Sequence, residues 1–166
     1  MLPVASSGRT RSAATAAEIL CDAALWSRIT SDLTNARRVV LSALCMDESV
    51  VCSRLKKVLK KADAEVTVLV DREFYHKRTA PSQRPRLLEL QELGATVFLC
   101  RGRAGRGHHH KKAIVIDQQT AYVGGANITN SAAWANGEMA TRLTGPPVAA
   151  VSAALRACQT EAPGIQ

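Results

Sequence analysis

The order of apolar and polar positions along the chain predicts helices and short strands in alternation. Several segments carry apolar residues every three or four positions, which is the spacing of a helix with one buried side. These predicted helices span residues 15–36, 47–61, 85–93, 129–134 and 147–158. Short apolar runs are typical of buried strands, and they span residues 39–46, 66–70, 96–100, 110–116, 121–124 and 138–143.

This element order predicts an α/β fold, in which a mixed β-sheet carries helices on both faces. Strands and helices alternate over the first hundred residues, a pattern typical of parallel strands joined by helical crossovers. Two later apolar runs form a predicted hairpin around residues 117–120. The segments 74–84 and 101–107 are predicted loops, and the second of them is rich in glycine and arginine.

The length and composition indicate one ordinary globular domain. Of the 166 residues, 46% are hydrophobic and 22% are charged, which excludes a fully disordered protein. Aromatic residues make up only 4%, which argues against a nucleic-acid binder that stacks bases on aromatic side chains. We expect a single domain over residues 13–160, with flexible tails at 1–12 and 161–166.

The charge distribution indicates a polyanionic partner. The net charge is +8, which favours nucleic acid or an acidic membrane surface. Residues 72–112 hold ten basic and three acidic side chains and so carry +7 of this charge. No apolar run approaches the ~18 residues that a membrane-spanning helix requires, so we expect no transmembrane segment.

The cysteines indicate a reducing compartment, and we expect the protein in the cytoplasm. There are five of them, an odd number without a CxxC pair, which argues against a disulfide framework or a zinc site. The first seventeen residues include Arg9 and Arg11 and no acidic residue. This composition fits a mitochondrial or plastid transit peptide, although a flexible N-terminal tail is the preferred interpretation.

His110 and Lys112 lie two positions apart in a predicted strand, so their side chains project to the same side and that of Lys111 to the other. If the hairpin loop holds two or four residues, Lys112 faces Gly125 and His110 faces Asn127. An imidazole, an ammonium and an amide then converge beside a residue without a side chain, which leaves room for a bulky anion. A loop with an odd number of residues would break this register.

These side chains suit a phosphate diester. Lys112 supplies positive charge and Asn127 supplies amide donors for the nonbridging oxygens. His110 can attack phosphorus or protonate the leaving oxygen. Asp117 is an odd number of positions from His110, so its side chain would project to the other side of the strand. We expect its carboxylate at the strand end, where it would hold neighbouring backbone.

The pattern HxKxxxxD followed by GxxN resembles the phospholipase D superfamily, which is known for its HKD motif. The resemblance implies the layered sandwich of that superfamily, and it implies a further acidic residue that bonds to the catalytic histidine. Glu138 matches the position of that residue. Gly125 departs from the pattern because many members have serine there, and Met139 replaces a residue that is often polar. The implied catalytic residues are His110, Lys112, Asp117, Asn127 and Glu138.

The resemblance also implies a mechanism that needs no metal and no cofactor. Active members use two HKD motifs around one phosphate, whereas this chain carries one. A homodimer with its active site on the twofold axis is therefore implied. One His110 would form a phosphohistidine, and its symmetry mate would protonate the leaving group.

Other residues near the motif are candidates for substrate binding. Both predicted basic loops follow strands and are expected to open on the edge that carries the motif, where they would form a funnel for phosphates. A metal cluster at residues 108–110 is the less favoured alternative, because consecutive residues of a strand point to opposite faces. His108 is expected to line the same pocket as His110. The predicted substrate-binding residues are Gly125, Arg101, Arg103, Arg106 and Lys111.

Three functions remain open at this point. The preferred one is a nucleic-acid endonuclease with little preference for sequence, acting on DNA or RNA. The second is a hydrolase of an anionic phospholipid such as cardiolipin. The third is a catalytically silent nucleic-acid-binding module, which the intact motif argues against.

Overall fold

The computed structural model describes residues 14–77, 83–102 and 106–160, so both predicted tails fall outside it. The strands of the described residues are β1 (Ala16–Cys21), β2 (Arg38–Ala43), β3 (Glu65–Asp71), β4 (Thr96–Cys100), β5 (Ala113–Ile116), β6 (Thr120–Gly124) and β7 (Met139–Thr144). The helices are α1 (Asp22–Leu33), α2 (Val50–Leu59), α3 (Arg72–His76), α4 (Gln83–Glu92), α5 (Asn130–Trp134) and α6 (Pro147–Thr160). The strands form one sheet in the order β1-β7-β6-β5-β2-β3-β4.

The sheet is mixed, and its strand directions bring one set of strand ends to a common edge. β2, β3 and β4 run parallel, whereas β5 pairs antiparallel with β2 and β6 with β5. β7 pairs antiparallel with β6, and β1 with β7. The carboxyl ends of β1, β2, β3, β4 and β6 therefore lie at the same edge as the amino ends of β5 and β7. We call this edge the carboxyl edge.

Helices cover both faces of the sheet. Leu25 of α1, Val51 of α2 and Leu87 of α4 are fully buried in the larger apolar core, against one face. Val148 and Leu155 of α6 are buried in a second core against the other face. The predicted fold class, an α/β mixed sheet with helices on both faces, is confirmed. In the part of the chain that the structure describes, no helix is long and apolar enough to span a membrane.

The helix predicted over residues 15–36 is wrong in its first part, which forms β1. The apolar residues of this segment fit helical and extended spacing alike, and its partner β7 lies more than a hundred residues away in the sequence. Asp22 has a positive φ of 48°, which turns the chain from β1 into α1. Its N–H donates to the Glu138 carbonyl, and its Oδ1 accepts from the Glu138 N–H. Local periodicity contains no signal for such a long-range pairing.

Two other predicted boundaries shift. The second predicted helix begins only at Val50, because Ser49 is its N-cap and accepts a hydrogen bond from the Cys52 N–H. The predicted loop at 74–84 overlaps α3 and the start of α4, and residues 78–82 lie outside the described ranges.

The hairpin between β5 and β6 has a three-residue loop, so the register that a loop of two or four residues would give is not formed. Ile116 pairs with Thr120 across the loop. Asp117 and Gln118 both have positive φ, at 52° and 58°, and the Gln119 N–H donates to the Ile116 carbonyl. Two consecutive left-handed residues form a type I′ turn, which suits the twist of a hairpin.

This register changes the pairs that were expected to face each other. β5 begins at Ala113 rather than at residue 110, and the Gly124 N–H donates to the Lys112 carbonyl at 3.3 Å. Lys112 therefore lies opposite Gly124 and not opposite Gly125. The expected pairing of His110 with Asn127 fails for the same reason.

Candidate active site

His110 and Lys112 lie at the carboxyl edge, in the segment that leads into β5. The Lys112 Nζ atom is 3.0 Å from His110 Nδ1 and 3.2 Å from His110 Nε2. It also donates to the His110 carbonyl oxygen at 3.4 Å. The side of the segment that carries these groups is open to solvent, since His110 is exposed and Lys112 is partly buried. The structure thus brings the two predicted groups together where a phosphate can reach both.

A buried network below this segment holds it in place. His109 Nε2 lies 2.7 Å from Ser42 Oγ, and Ser42 Oγ donates to the Lys111 carbonyl at 2.9 Å. The hydroxyl has one hydrogen, so it accepts from the His109 Nε2–H. The His109 N–H donates to Asp71 Oδ2 at 2.6 Å. The sequence pattern does not predict this network, although a polar residue such as Ser42 in an apolar strand is a signal for a buried hydrogen bond.

His109 is expected to make the stability of the protein depend on pH. Burial lowers the pKa of its imidazole below the ordinary 6.5, and the positive charge of Lys111 adds to the effect while Asp71 opposes it. Below pH 6.5 the unfolded chain therefore binds more protons than the folded one. The contribution of His109 to the free energy of unfolding is complete above pH 6.5 and is lost as the pH falls. The free energy of unfolding then changes by at most about 1.4 kcal/mol per pH unit for one proton.

Urea unfolding at pH 7.5 and at pH 5.5 measures this dependence. The variant His109→Gln keeps a nitrogen near the Nε2 position but does not titrate, so the loss of stability at pH 5.5 should be smaller in it than in the wild type. An identical pH dependence in the two proteins would mean that another group is responsible.

Glu138 and Cys45 lie within electrostatic reach of Lys112. Burial lowers the pKa of Lys112, and the thiol of Cys45 and the carboxylate of Glu138 oppose this shift. Among residues 14–77, 83–102 and 106–160, the Glu138 carboxylate forms no hydrogen bond with His110, so the bond implied by the resemblance is not formed in this structure. The carboxylate instead places negative charge near the ammonium.

Asn127 lies in the segment after β6, which is tied to the segment after β2. The Ile128 N–H donates to the Cys45 carbonyl, and the Asp47 N–H donates to the Ile128 carbonyl. Oδ1 of Asn127 is buried and has no hydrogen-bond partner within the described residues. Buried amide oxygens without a partner are uncommon in folded proteins. The Oδ1 atom of Asn127 can therefore accept a further hydrogen bond, at the part of the carboxyl edge that holds Cys45.

The two consecutive glycines after β6 differ in how much space they have. A Cβ atom at Gly124 would lie 2.5 Å from the Met139 carbonyl oxygen, so this position requires glycine for the close pairing of β6 with β7. A Cβ atom at Gly125 would meet no atom within 4 Å, and Gly125 is exposed. Gly125 therefore leaves open space at the edge, as expected, although Lys112 is not its partner.

Asp117 and Lys111 are not brought to His110. Asp117 lies at the other end of β5, where its Oδ1 accepts from the N–H groups of Arg37 at 2.9 Å and Arg38 at 2.7 Å. The expectation that Asp117 holds neighbouring backbone agrees with these bonds. The Lys111 Nζ atom lies 3.0 Å from Cys158 Sγ in α6. This contact directs Lys111 towards the opposite face of the sheet.

The three consecutive histidines point in three directions. His108 Nδ1 lies 3.2 Å from Asp71 Oδ1, whereas His109 bonds to Ser42 and His110 contacts Lys112. His108 therefore does not line the same pocket as His110, contrary to expectation. No three His, Cys, Asp or Glu side chains of the described segments are grouped so that they could hold a metal ion.

The described parts of both basic loops lie at the carboxyl edge. Arg101 and Arg106 are exposed and follow β4, while Arg72 and Lys77 follow β3. Since β3 and β4 run parallel to β2, these cations share an edge with the segment that carries His110. Arg103 lies outside the described residues.

Known structures share this fold at low sequence identity. Nuc from Salmonella typhimurium, a phospholipase D family member, matches with a TM-score of 0.79 at 14% identity, and the match covers 92% of this chain and 99% of that one. NucT from Helicobacter pylori matches with a TM-score of 0.78 at 15% identity, over 92% and 100% of the two chains. Phosphatidylserine synthase from Haemophilus influenzae matches with a TM-score of 0.73 at 16% identity. That match covers 91% of this chain and 40% of the synthase.

Sequence comparison identifies the family. No curated protein matches the chain. The family described as cardiolipin synthase, PLD-like domain, matches residues 29–156, which include His110, Lys112, Asn127 and Glu138 and more than three quarters of the chain. With the shared fold and the contact between His110 and Lys112, this match shows that the chain belongs to the phospholipase D superfamily.

Proposed function

We propose that the protein is a metal-independent phosphodiesterase that cleaves nucleic acid through a covalent intermediate on His110. The contact between the Lys112 ammonium and the exposed His110 imidazole carries this proposal. A cation beside a nucleophile neutralises the charge of a phosphodiester as it approaches and stabilises the charge that develops on its oxygens. Membership of the superfamily supports the same class of reaction.

In the first step a ring nitrogen of His110 attacks phosphorus. A P–N bond forms while the P–O bond to the leaving oxygen breaks, and that oxygen takes a proton from the imidazolium of the second copy's His110. In the second step the imidazole of the second copy's His110 removes a proton from water as the water attacks phosphorus. The P–N bond breaks, and both histidines return to their starting states. Lys112 and the amide of Asn127 contact the nonbridging oxygens, whereas Asp117 holds the strands in register.

The homodimer in this proposal is supported by the single motif. Ile19 of β1 and Val123 of β6 both lie beside Thr141 of β7 in the sheet. Met139, two residues before Thr141, is 60% exposed. These exposed apolar side chains lie on the face of the sheet that carries α6, opposite to Lys112, so they offer a surface for a partner without placing the twofold axis at the motif.

The charge of the molecule favours nucleic acid over a lipid as the substrate. The two segments that follow β3 and β4 place Arg72, Lys77, Arg101 and Arg106 at the carboxyl edge. Rows of cations along the approach to a phosphodiester suit a chain of phosphates. An anionic phospholipid is the second candidate, favoured by the family description, which names cardiolipin synthase, and by the similarity to the fold of phosphatidylserine synthase.

Turnover in the presence of EDTA tests the proposed function. We expect bis-p-nitrophenyl phosphate and single-stranded DNA to be hydrolysed at the same rate with and without the chelator, because the proposed chemistry uses only protein groups. Parallel assays with RNA, duplex DNA and cardiolipin vesicles determine the preferred substrate. A strict requirement for a divalent cation would contradict the mechanism. Faster hydrolysis of cardiolipin than of every nucleic acid would favour the second candidate.

A further inference from the structure

A cavity opens at the carboxyl edge on the side of β3 and β4. Its volume is about 570 Å³, and the cations of Arg72, Lys77 and Arg101 line it together with His76 and His108. Glu73 is the acidic residue in its lining, and Phe74 is the apolar one. The side chains of Lys77 and Arg101 are exposed, so both can reach a bound anion. The composition of this lining suits a phosphate.

The buried carboxylate of Asp71 fixes this cavity relative to the catalytic segment. Its Oδ1 accepts from the Phe74 N–H at 2.9 Å and lies 3.2 Å from His108 Nδ1. Its Oδ2 accepts from the His109 N–H at 2.6 Å. One side chain, fully buried at the end of β3, therefore positions both the cavity wall and the residue next to His110.

The orientation of His108 leaves one ring nitrogen for a ligand. Nδ1 faces Asp71, and it also lies 3.7 Å from Glu73 Oε2. Half of the His108 side chain is exposed, so Nε2 is the nitrogen available to the cavity. An imidazole held by a buried carboxylate is a well-oriented hydrogen-bonding group.

One residue of the cavity lining, His108, belongs to the same segment as His110. His108 precedes His110 by two residues, and an extended segment covers about 6.6 Å over two residues. This spacing is comparable with the separation of successive phosphates along a nucleic-acid strand. Lys77 is free to move to an anion, because its Nζ rests 4.7 Å above the Phe74 ring without a carboxylate partner among the described residues.

We propose that this cavity binds the phosphate next to the scissile one on a nucleic-acid strand. This inference deepens the proposed function and rests on it. The protein then favours substrates with at least two phosphodiesters over those with one, and it recognises the strand through phosphates rather than bases. A lipid headgroup is less suited to the cavity, because Phe74 is the apolar side chain in the lining and acyl chains need more apolar surface.

The test compares a trinucleotide, which has two phosphodiesters, with bis-p-nitrophenyl phosphate, which has one. The variants are Lys77→Gln, Arg101→Gln and the double variant. We expect the ratio of kcat/KM for the trinucleotide to kcat/KM for the reporter to fall about tenfold in each single variant, as is usual for the loss of one charged hydrogen bond. The matched control is Lys60→Gln, which removes one exposed positive charge at the opposite edge of the sheet and should leave the ratio unchanged.

A second measurement separates failure of this inference from failure of the proposed function. Binding of a fluorescent trinucleotide by anisotropy, in a His110→Ala background that cannot cleave it, reports on the cavity alone. Weaker binding in the Lys77 and Arg101 variants supports the cavity even if the wild type does not hydrolyse the reporter. An unchanged ratio and unchanged binding would overturn the inference. Slower hydrolysis of cardiolipin vesicles, with trinucleotide kinetics unaffected, would overturn it in favour of a lipid site.

Discussion

Replacing His110 with alanine is expected to lower kcat for bis-p-nitrophenyl phosphate by three orders of magnitude or more, roughly the effect of removing a nucleophile or an acid–base group. The effect is large because every turnover uses this imidazole twice, once to form the P–N bond and once, in the second copy, to protonate the leaving oxygen. Binding of single-stranded DNA should be nearly intact, since Lys112 and the cations after β3 and β4 remain.

Lys60→Gln is the control, because it changes an exposed side chain at the end of α2, at the edge of the sheet opposite to Lys112. Acid-sensitive, base-stable phosphate on the wild-type protein after rapid quenching would identify the intermediate, and His110→Ala should give none. Undiminished turnover in His110→Ala would remove histidine nucleophilic catalysis from consideration.

The second large effect is expected when wild-type and His110→Ala chains are combined in one dimer. If each dimer holds a single active site on its twofold axis, a mixed dimer lacks either the nucleophile or the acid in each orientation of the substrate. Co-expression of the two chains in equal amounts should therefore give about a quarter of the wild-type activity per chain, since random pairing leaves about one dimer in four fully wild type.

Two affinity tags allow the mixed dimer to be isolated and assayed directly, and it should have less than a few per cent of the wild-type rate. A mixed dimer of the wild type with Lys60→Gln serves as the control and should be fully active. Half of the wild-type activity in the co-expressed sample would show that each chain works alone. Sedimentation that shows only monomers at assay concentrations would contradict the shared site in a different way.

The elements whose positions the sequence predicts well are those with continuous runs of apolar residues. The strand predicted at 96–100 matches β4 in both ends, and the one predicted at 66–70 lies within β3. Buried parallel strands are apolar on both faces, so they read as continuous apolar runs. β1 was not predicted because β7, its partner among the described strands, is distant in sequence. The three-residue loop was not predicted because Gln118, one of its two left-handed residues, is not a residue type that signals this conformation.

In the candidate active site too, features set by neighbouring residues were predicted, and those set by residues distant in sequence were not. Two-residue spacing was sufficient to place His110 and Lys112 on one side, because side chains alternate in an extended segment even where no ladder forms. The hydrogen bonds that hold this segment in place could not be predicted, since Ser42 lies 67 residues from His109 and Asp71 lies 38 residues from it. Hydrogen bonds of this kind depend on which strands become neighbours, and that is a property of the whole sheet.

The pairing of β1 with β7 determines how far the chain can be trimmed. A protein cut to the family boundaries would begin inside α1 and lose β1 together with Asp22. β7 would then be the outer strand, with unpaired N–H and C=O groups, and open strands of this kind promote aggregation. The start of β7 would also lose the backbone bonds that anchor Glu138. A six-residue strand at the margin of the molecule thus protects both the edge of the sheet and the geometry of the candidate active site.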